Sequence, residues 1–145
     1  MSPVTDVERL LREAGLRVTR PRAAVLAAVH SHPHADTDTL IGAARADLRH
    51  EGQDVSHQAV YDALRALTDA GLVRRIQPQR SVARYEARVG DNHHHVVCRS
   101  CGTIADVDCA VDATPCLTAS DHHGFVIDEA EVIYWGHCPS CLSST

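Results

Sequence analysis

The chain has 145 residues, 44% of them apolar, which is enough for one domain or two very small ones with a hydrophobic core. Its longest uninterrupted apolar run, residues 23–29, is far too short to span a bilayer, and the first twenty residues carry no signal-like apolar segment. We therefore expect a cytoplasmic protein with no membrane contact. In that compartment the six cysteines are read first as metal ligands or redox thiols, and only then as disulfides.

The formal charge of −5 is divided unevenly along the chain. Residues 1–90 hold thirteen arginines against eleven acids, whereas residues 91–145 hold one arginine against eight acids. A mildly basic half permits contact with a polyanion such as DNA, although scattered arginines are also usual on an ordinary solvated surface. The division predicts two parts of the chain with different functions.

Four helices are predicted in the first half, because apolar residues recur there with helical spacing. Polar residues that accept hydrogen bonds stand where the second, third and fourth helices should begin, and glycines stand where the first and fourth should end. The predicted caps and stops are Thr19, Asp36, Ser56, Gly15 and Gly71.

Two short β-prone runs, residues 72–76 and 82–86, follow the fourth helix and predict a hairpin. Helices followed by a hairpin are typical of a winged helix-turn-helix domain, in which the last helix enters the major groove of DNA. The alternative is an ordinary α+β domain whose last helix is polar because it lies at the surface. The polar residues on the outer face of that helix are His57, Gln58, Tyr61 and Arg65.

The composition changes at residues 87–91, which we interpret as a linker between domains at 1–86 and 92–145. Strands are predicted near residues 96–97, 103–107 and 132–135, with a short helix within 117–122. The predicted fold class is α+β, with a helical first domain and a small second domain of mixed strands and helix.

Two C-x-x-C pairs lie in the second half, formed by Cys98 with Cys101 and by Cys138 with Cys141. Each pair spans two corners of a tetrahedron from one tight turn, so two such turns together predict a closed structural Zn²⁺ site. The alternative is two redox pairs or two disulfides. The remaining cysteines, Cys109 and Cys116, are either small buried residues or a thiol pair open to oxidation.

Three consecutive histidines precede the first C-x-x-C pair. On a strand, His93 and His95 share one face, where Glu86 and Asp106 could complete a second site for iron, manganese or zinc. The alternatives are a surface run of histidines and a catalytic metal centre, although no nucleophile motif or substrate cleft is evident beside them. We therefore predict no enzyme activity and no small-molecule substrate. Candidates for a third site, on the opposite face, are His94, Asp108, His122 and His123.

Six motifs together resemble the ferric uptake regulator (Fur) superfamily over Leu16 to Cys141. The resemblance looks closest to actinobacterial regulators associated with catalase-peroxidase genes. The motifs are GLRVTRPRAAVLAAV, HPHADTDTL, VSHQAVYDALRALTDAGLV, ARYE, HHHVVCRSCG and YWGHCPSC.

The resemblance implies a homodimeric transcriptional repressor whose winged-helix domains bind a pseudo-palindromic operator and whose C-terminal domains form the dimer. It assigns the two cysteine pairs to structural zinc and implies a regulatory Fe²⁺ or Mn²⁺, for which Zn²⁺ can substitute. Ala59 and Asp62 depart from the Thr and Arg of many relatives. The implied regulatory ligands are His32, Glu86, His93, His95 and Asp106. Further arginines of the predicted DNA-binding domain that could contact DNA are Arg17, Arg20 and Arg22.

The resemblance also suggests the signal. Relatives that sense peroxide have Asp at the position of Asp106, and their iron site directs oxidation to neighbouring histidine ligands. We therefore predict release from DNA on peroxide or iron loss, with His32 and His93 as the oxidised residues. The alternative is a thiol switch that uses Cys109 and Cys116.

Overall fold

A computed structural model describes residues 3–87, 93–109 and 117–143. The chain forms two compact units, Met1–Val89 and Gly90–Thr145. The first unit is mainly helical and the second contains mainly strands, which confirms the predicted α+β class. Of the predicted linker, residues 88–91 lie outside the described residues.

The first unit contains the four predicted helices. The side chains of Thr19, Asp36 and Ser56 each accept a backbone N–H from three residues further on, so all three predicted caps are confirmed. Pro21 lies in the first turn of its helix, where its missing N–H costs no hydrogen bond. The helices are α1 Pro3–Glu13, α2 Arg20–Ser31, α3 Thr37–His50 and α4 His57–Asp69.

The predicted glycine stops are also confirmed. Gly71 has φ of +78° and donates its N–H to Thr68 at 3.1 Å, while Leu72 donates to Leu67 at 3.1 Å. This pair of bonds satisfies carbonyls that the end of α4 would leave without a partner. A residue with a side chain would be strained at this φ, which explains why the helix ends at glycine.

The helical core depends on the periodic apolar residues. Leu64 and its neighbours on α4 are buried against apolar residues of α2 and α3, as the sequence pattern predicts. Because this face is fully buried, the opposite face of α4 is left exposed to solvent. The largest fully buried apolar side chains of the unit are Leu11, Leu26, Leu40, Leu48, Leu64, Leu67, Val25, Val29, Val60 and Ile76.

A three-stranded antiparallel sheet completes the first unit. It consists of β1 Ala35–Asp36, β2 Arg74–Ile76 and β3 Arg84–Glu86 in the order β1-β3-β2. The predicted hairpin corresponds to β2 and β3. The sequence did not predict β1, because a two-residue strand has no periodicity, and it is defined only by its pairing with β3.

The second unit is built on a sheet of β4 His93–Cys98, β5 Ile104–Asp108 and β6 Ile133–Gly136, followed by the short helix α5 Pro139–Ser143. The central strand β4 pairs antiparallel with β5 and parallel with β6. The short helix predicted within 117–122 is wrong, because these residues form two bends and otherwise irregular structure. The side chains of Asp121 and His122 accept backbone N–H groups two residues on, which favours a turn over a helix.

Within the described part of the chain, no helix is both long enough and apolar enough to cross a membrane.

Candidate metal centres and nucleic-acid interface

The parallel pairing of β4 with β6 brings the two C-x-x-C turns together. Cys98 ends β4 opposite Gly136, and Cys138 follows two residues after Gly136. In the first turn Gly102 donates its N–H to the Cys98 carbonyl at 3.0 Å, and in the second Leu142 donates to Cys138 at 3.0 Å. Each turn is therefore closed by its own backbone, and the sheet sets the spacing between the two.

The four sulfurs form a compact group. The Sγ atoms are 3.7 Å apart between Cys98 and Cys141 and 3.6 Å apart between Cys101 and Cys138, and all four lie within 4.8 Å of one another. A tetrahedral ion with bonds of about 2.3 Å separates its sulfur ligands by about 3.8 Å, whereas a disulfide needs about 2.05 Å. The arrangement therefore fits structural zinc and contains no disulfide.

The charges within the cysteine group require a cation. Backbone N–H groups of Cys101 and Cys138 lower the pKa of the Cys98 thiol to about 5, so this sulfur is readily a thiolate. Hydrogen bonds to Cys138 and the other sulfurs raise the pKa of Cys141 to about 12. Four neighbouring thiolates repel one another, and a divalent ion supplies the positive charge that allows all four to ionise together.

Contacts outside the cysteines hold the two turns in place. The hydroxyl of Ser100 lies 3.0 Å from Nδ1 of His137, and Arg99 donates its N–H to the Gly136 carbonyl at 2.8 Å. The guanidinium of Arg99 also lies 5.4 Å from the ring centroid of Trp135. These bonds join the residues that flank the ligands and orient the ligands themselves.

In the first unit, a histidine lies beside the buried carboxylate of the last strand. Nε2 of His34 is 3.4 Å from Oε2 of Glu86, and Glu86 is only 1% exposed. His34 has φ of +65° and donates its backbone N–H to the Tyr85 carbonyl at 2.9 Å, which fixes it next to β3. We call this pair the wing half-site.

The structure places His34, and not the predicted ligand His32, beside Glu86. Nδ1 of His32 lies 3.1 Å from the Ala28 carbonyl, so this ring satisfies the end of α2. The two histidines flank Pro33, and the sequence alone does not show which of them turns toward Glu86. The pairing of β1 with β3 decides between them, because it draws the second histidine to the strand.

In the second unit, His93, His95 and Asp106 form a group that we call the strand half-site. His95 pairs directly with Asp106 in the β4–β5 register, and both histidines are buried. Oδ1 of Asp106 lies 3.4 Å from Nε2 of His95 and 3.7 Å from Nε2 of His93. Two ligands bonded to one ion at about 2.1 Å lie about 3.0 to 3.4 Å apart, so small shifts bring these atoms into a coordination shell.

The candidates for a third site are not brought together. His94 pairs with Val107 on the face of β4 opposite His93, whereas Asp108 pairs with His93. The exposed turn near residue 123 holds the other two, and His123 lies 3.6 Å from Asp121. Among the residues described, none of the four predicted ligands joins a metal-binding group.

The predicted thiol pair is only partly described. Cys109 has intermediate exposure and lies directly after β5. Cys116 lies outside the described residues.

The predicted DNA contacts lie on two exposed regions of the first unit. His57, Gln58, Tyr61 and Arg65 all occupy the exposed face of α4. Around the start of α2, Arg20 forms a 2.9 Å ion pair with Glu51 of the α3 end, and Arg22 donates to the Arg17 carbonyl at 2.9 Å. These arginines are tethered in place but keep part of their donor capacity for phosphate.

The first unit is a helix-turn-helix with a flanking antiparallel hairpin and an exposed last helix. The second unit adds a four-cysteine metal centre, and each unit holds a histidine–carboxylate group. These features together define a metal-binding DNA-binding regulator. Residues 13–134 match the model of the ferric uptake regulator family. The chain belongs to this family.

A relative of high identity agrees with that membership, and two solved structures share the fold. The chain is 70% identical over 144 residues to the transcriptional regulator FurA of Mycobacterium tuberculosis, covering 99% of this chain and 95% of FurA. The structure of the Campylobacter jejuni peroxide stress regulator has the same fold, with a TM-score of 0.64, 24% identity and coverage of 97% and 100%. A Pseudomonas aeruginosa ferric uptake regulator with manganese gives a TM-score of 0.62, 23% identity and coverage of 91% and 97%.

Family membership decides two of the predictions from sequence. Membership of a family of transcriptional regulators fits the predicted DNA partner and does not fit an enzyme. The alternative of a metal-dependent enzyme is set aside for the same reason.

Proposed function

We propose that this protein is a cytoplasmic, metal-dependent repressor of oxidative-stress or iron genes, such as those of a catalase-peroxidase. Its homodimer binds a pseudo-palindromic operator and is released when peroxide or iron loss disables the regulatory site. The observation that carries the proposal is the buried Glu86 carboxylate beside His34, at the end of strand β3 of the first unit.

The wing half-site and the strand half-site are proposed to bind one ion together. The first offers two donors and the second three, and this mixture of nitrogen and oxygen suits Fe²⁺ or Mn²⁺, with Zn²⁺ as a substitute. Fe²⁺ or Mn²⁺ supplies positive charge that offsets the two carboxylates. Donors of both units that share one ion hold the units at one angle, and this angle sets the spacing of the two recognition helices on DNA.

The second unit is proposed to supply the dimer contact. Phe125 is 74% exposed, Val126 97% and Tyr134 51%, so this unit presents apolar side chains to solvent when the chain is alone. Large exposed apolar residues of this kind mark association surfaces. A second copy would cover them and place two winged domains on one operator.

Binding to an operator fragment, measured by fluorescence anisotropy with and without Mn²⁺, tests the proposed metal dependence. We expect Mn²⁺ to increase affinity by roughly tenfold or more, the usual size of an allosteric coupling. Glu86→Gln removes the buried charge while keeping the shape, so this variant should lose the response to Mn²⁺. Glu131→Gln, an exposed carboxylate outside both half-sites, is the matched control. Equal affinity with and without metal would contradict the proposal.

The arginines at the start of α2 should contribute affinity without sequence preference. Replacing Arg17, Arg20 and Arg22 together by Ala is expected to weaken binding to all sequences alike and to lower the salt slope by about 1 per lost phosphate contact. Arg12→Ala is the control, because its guanidinium lies 3.6 Å from Glu8 on α1. An unchanged slope in the triple variant would reject this position for the basic surface.

A further inference from the structure

The exposed face of α4 carries one acid among its predicted DNA contacts. Asp62 lies one turn after Gln58 and next to Tyr61, and all three side chains are exposed. A carboxylate that faces DNA repels phosphate, so a reading helix that keeps one loses affinity for every sequence. An acid at this position can favour DNA binding only through the bases, and not through the backbone of the DNA.

The position of Asp62 fixes the orientation of the side-chain amide of Gln58. Nε2 of Gln58 donates a hydrogen bond to Oδ1 of Asp62 at 2.9 Å. Because an ionised carboxylate only accepts hydrogen bonds, the amide nitrogen of Gln58 must be the atom that faces it. The carbonyl oxygen of Gln58 and its second N–H are then left for another partner, in one defined orientation.

The geometry points to Gln58 and Asp62 as a single base-reading unit in the major groove, an inference that rests on the proposed binding of DNA. The Gln58 oxygen accepts from N6 of an adenine while its remaining N–H donates to N7, the bidentate pairing that an amide makes with adenine. The second oxygen of Asp62 accepts from the amino group of a neighbouring base, N4 of cytosine or N6 of adenine.

At the base that Asp62 contacts, selectivity then comes from repulsion of the wrong bases. The major-groove edges of guanine and thymine present acceptor oxygens where the carboxylate needs a donor, and two acceptors repel each other. Asp62 would thus lower affinity for unspecific DNA and for the wrong base at the same time. This is the behaviour expected of a repulsive specificity element.

Two simpler accounts predict different results. If the Gln58–Asp62 bond is only an ordinary surface pair between residues one helical turn apart, removing it leaves DNA binding unchanged. If Asp62 acts only through its charge, removing that charge strengthens binding to all sequences equally. Only base reading by Gln58 and Asp62 predicts that a change at Asp62 alters the order of preference among DNA sequences.

The experiment is selection of bound duplexes from a randomised pool by the Mn²⁺-loaded full-length protein, followed by affinity measurements on single-base variants. Asp62→Asn keeps the shape of the side chain but adds a donor, so it tolerates guanine and thymine. We expect the wild type to disfavour these bases about tenfold at one position in each half-site, and the variant to lose that preference. Gln58→Ala should lose the preference for adenine at the adjoining position.

Asp69→Asn is the matched control, because it removes the same charge from the exposed end of the same helix, about 10 Å further along the axis. Its sequence preference should equal that of the wild type. An Asp62→Asn variant with the wild-type order of preference, at any absolute affinity, would overturn the inference while leaving the proposed function intact. A wild-type protein that selects no sequence would overturn the proposed function and the inference with it.

Discussion

Cys138→Ser is expected to lose the structural zinc and to give monomeric or aggregated protein. The second unit depends on this site because, among its described residues, the buried hydrophobic side chains are Val97 and Cys98. Structural zinc contributes roughly 10 to 16 kcal/mol of binding free energy, more than so small a core can supply. Removing one of the four thiolates also deprives the two turns of the ion that joins them.

Zinc content, measured by elemental analysis, and the oligomeric state, measured by size-exclusion chromatography with light scattering, test this expectation. Cys109→Ser is the matched control, since it changes the same atom at a cysteine outside the four-sulfur group. The helical circular dichroism signal should largely survive in Cys138→Ser, because the first unit has its own core. A dimeric, zinc-loaded Cys138→Ser protein would refute the assignment.

The sequence predicts the first unit well because its signals are local. Caps such as Ser56, glycine stops such as Gly71 and the apolar periodicity of α4 all act within a few residues of the feature they determine. The structure confirms them for that reason. The incorrect helix within 117–122 shows the limit of such signals, because the Asp121 side chain accepts the backbone N–H of His123, which favours a turn.

Residues that depend on pairing between distant segments are harder to predict. The choice between His32 and His34 follows from a two-residue strand that pairs 50 positions away with Tyr85, and no local pattern predicts it. The cysteine group is the opposite case. Its members are also far apart in sequence, but the repeated C-x-x-C spacing predicts two turns that can bind one metal ion together.

The position of His34 beside Glu86 adds this residue to the expected targets of peroxide. When bound, iron provides the redox chemistry that lets hydrogen peroxide oxidise the residues holding it. We expect the oxidised residues to be His34 and His93, because His34 is the histidine that lies beside Glu86. One oxygen atom of the peroxide enters the imidazole ring and the other leaves as water, so the ring loses the electrons that the peroxide gains.

Mass spectrometry of peptides from iron-loaded and manganese-loaded protein, after mild peroxide treatment, distinguishes the routes. A gain of one oxygen on His34 or His93 is expected with iron only, and His50, an exposed histidine of α3, serves as an internal control. Cys109→Ser should keep this pattern. Oxidation confined to Cys109 and Cys116, and equal with either metal, would reject the proposal and support the thiol switch.

The consequence for DNA follows from the same donors. An oxidised imidazole no longer offers a ring nitrogen that binds a metal. The wing half-site or the strand half-site therefore loses one of its metal ligands. We expect peroxide-treated, iron-loaded protein to bind the operator as weakly as metal-free protein, roughly tenfold or more below the untreated form. Manganese-loaded protein treated in the same way should keep its affinity. Equal loss of affinity with both metals would show that release does not depend on iron, and the histidine ligands would then have no part in sensing.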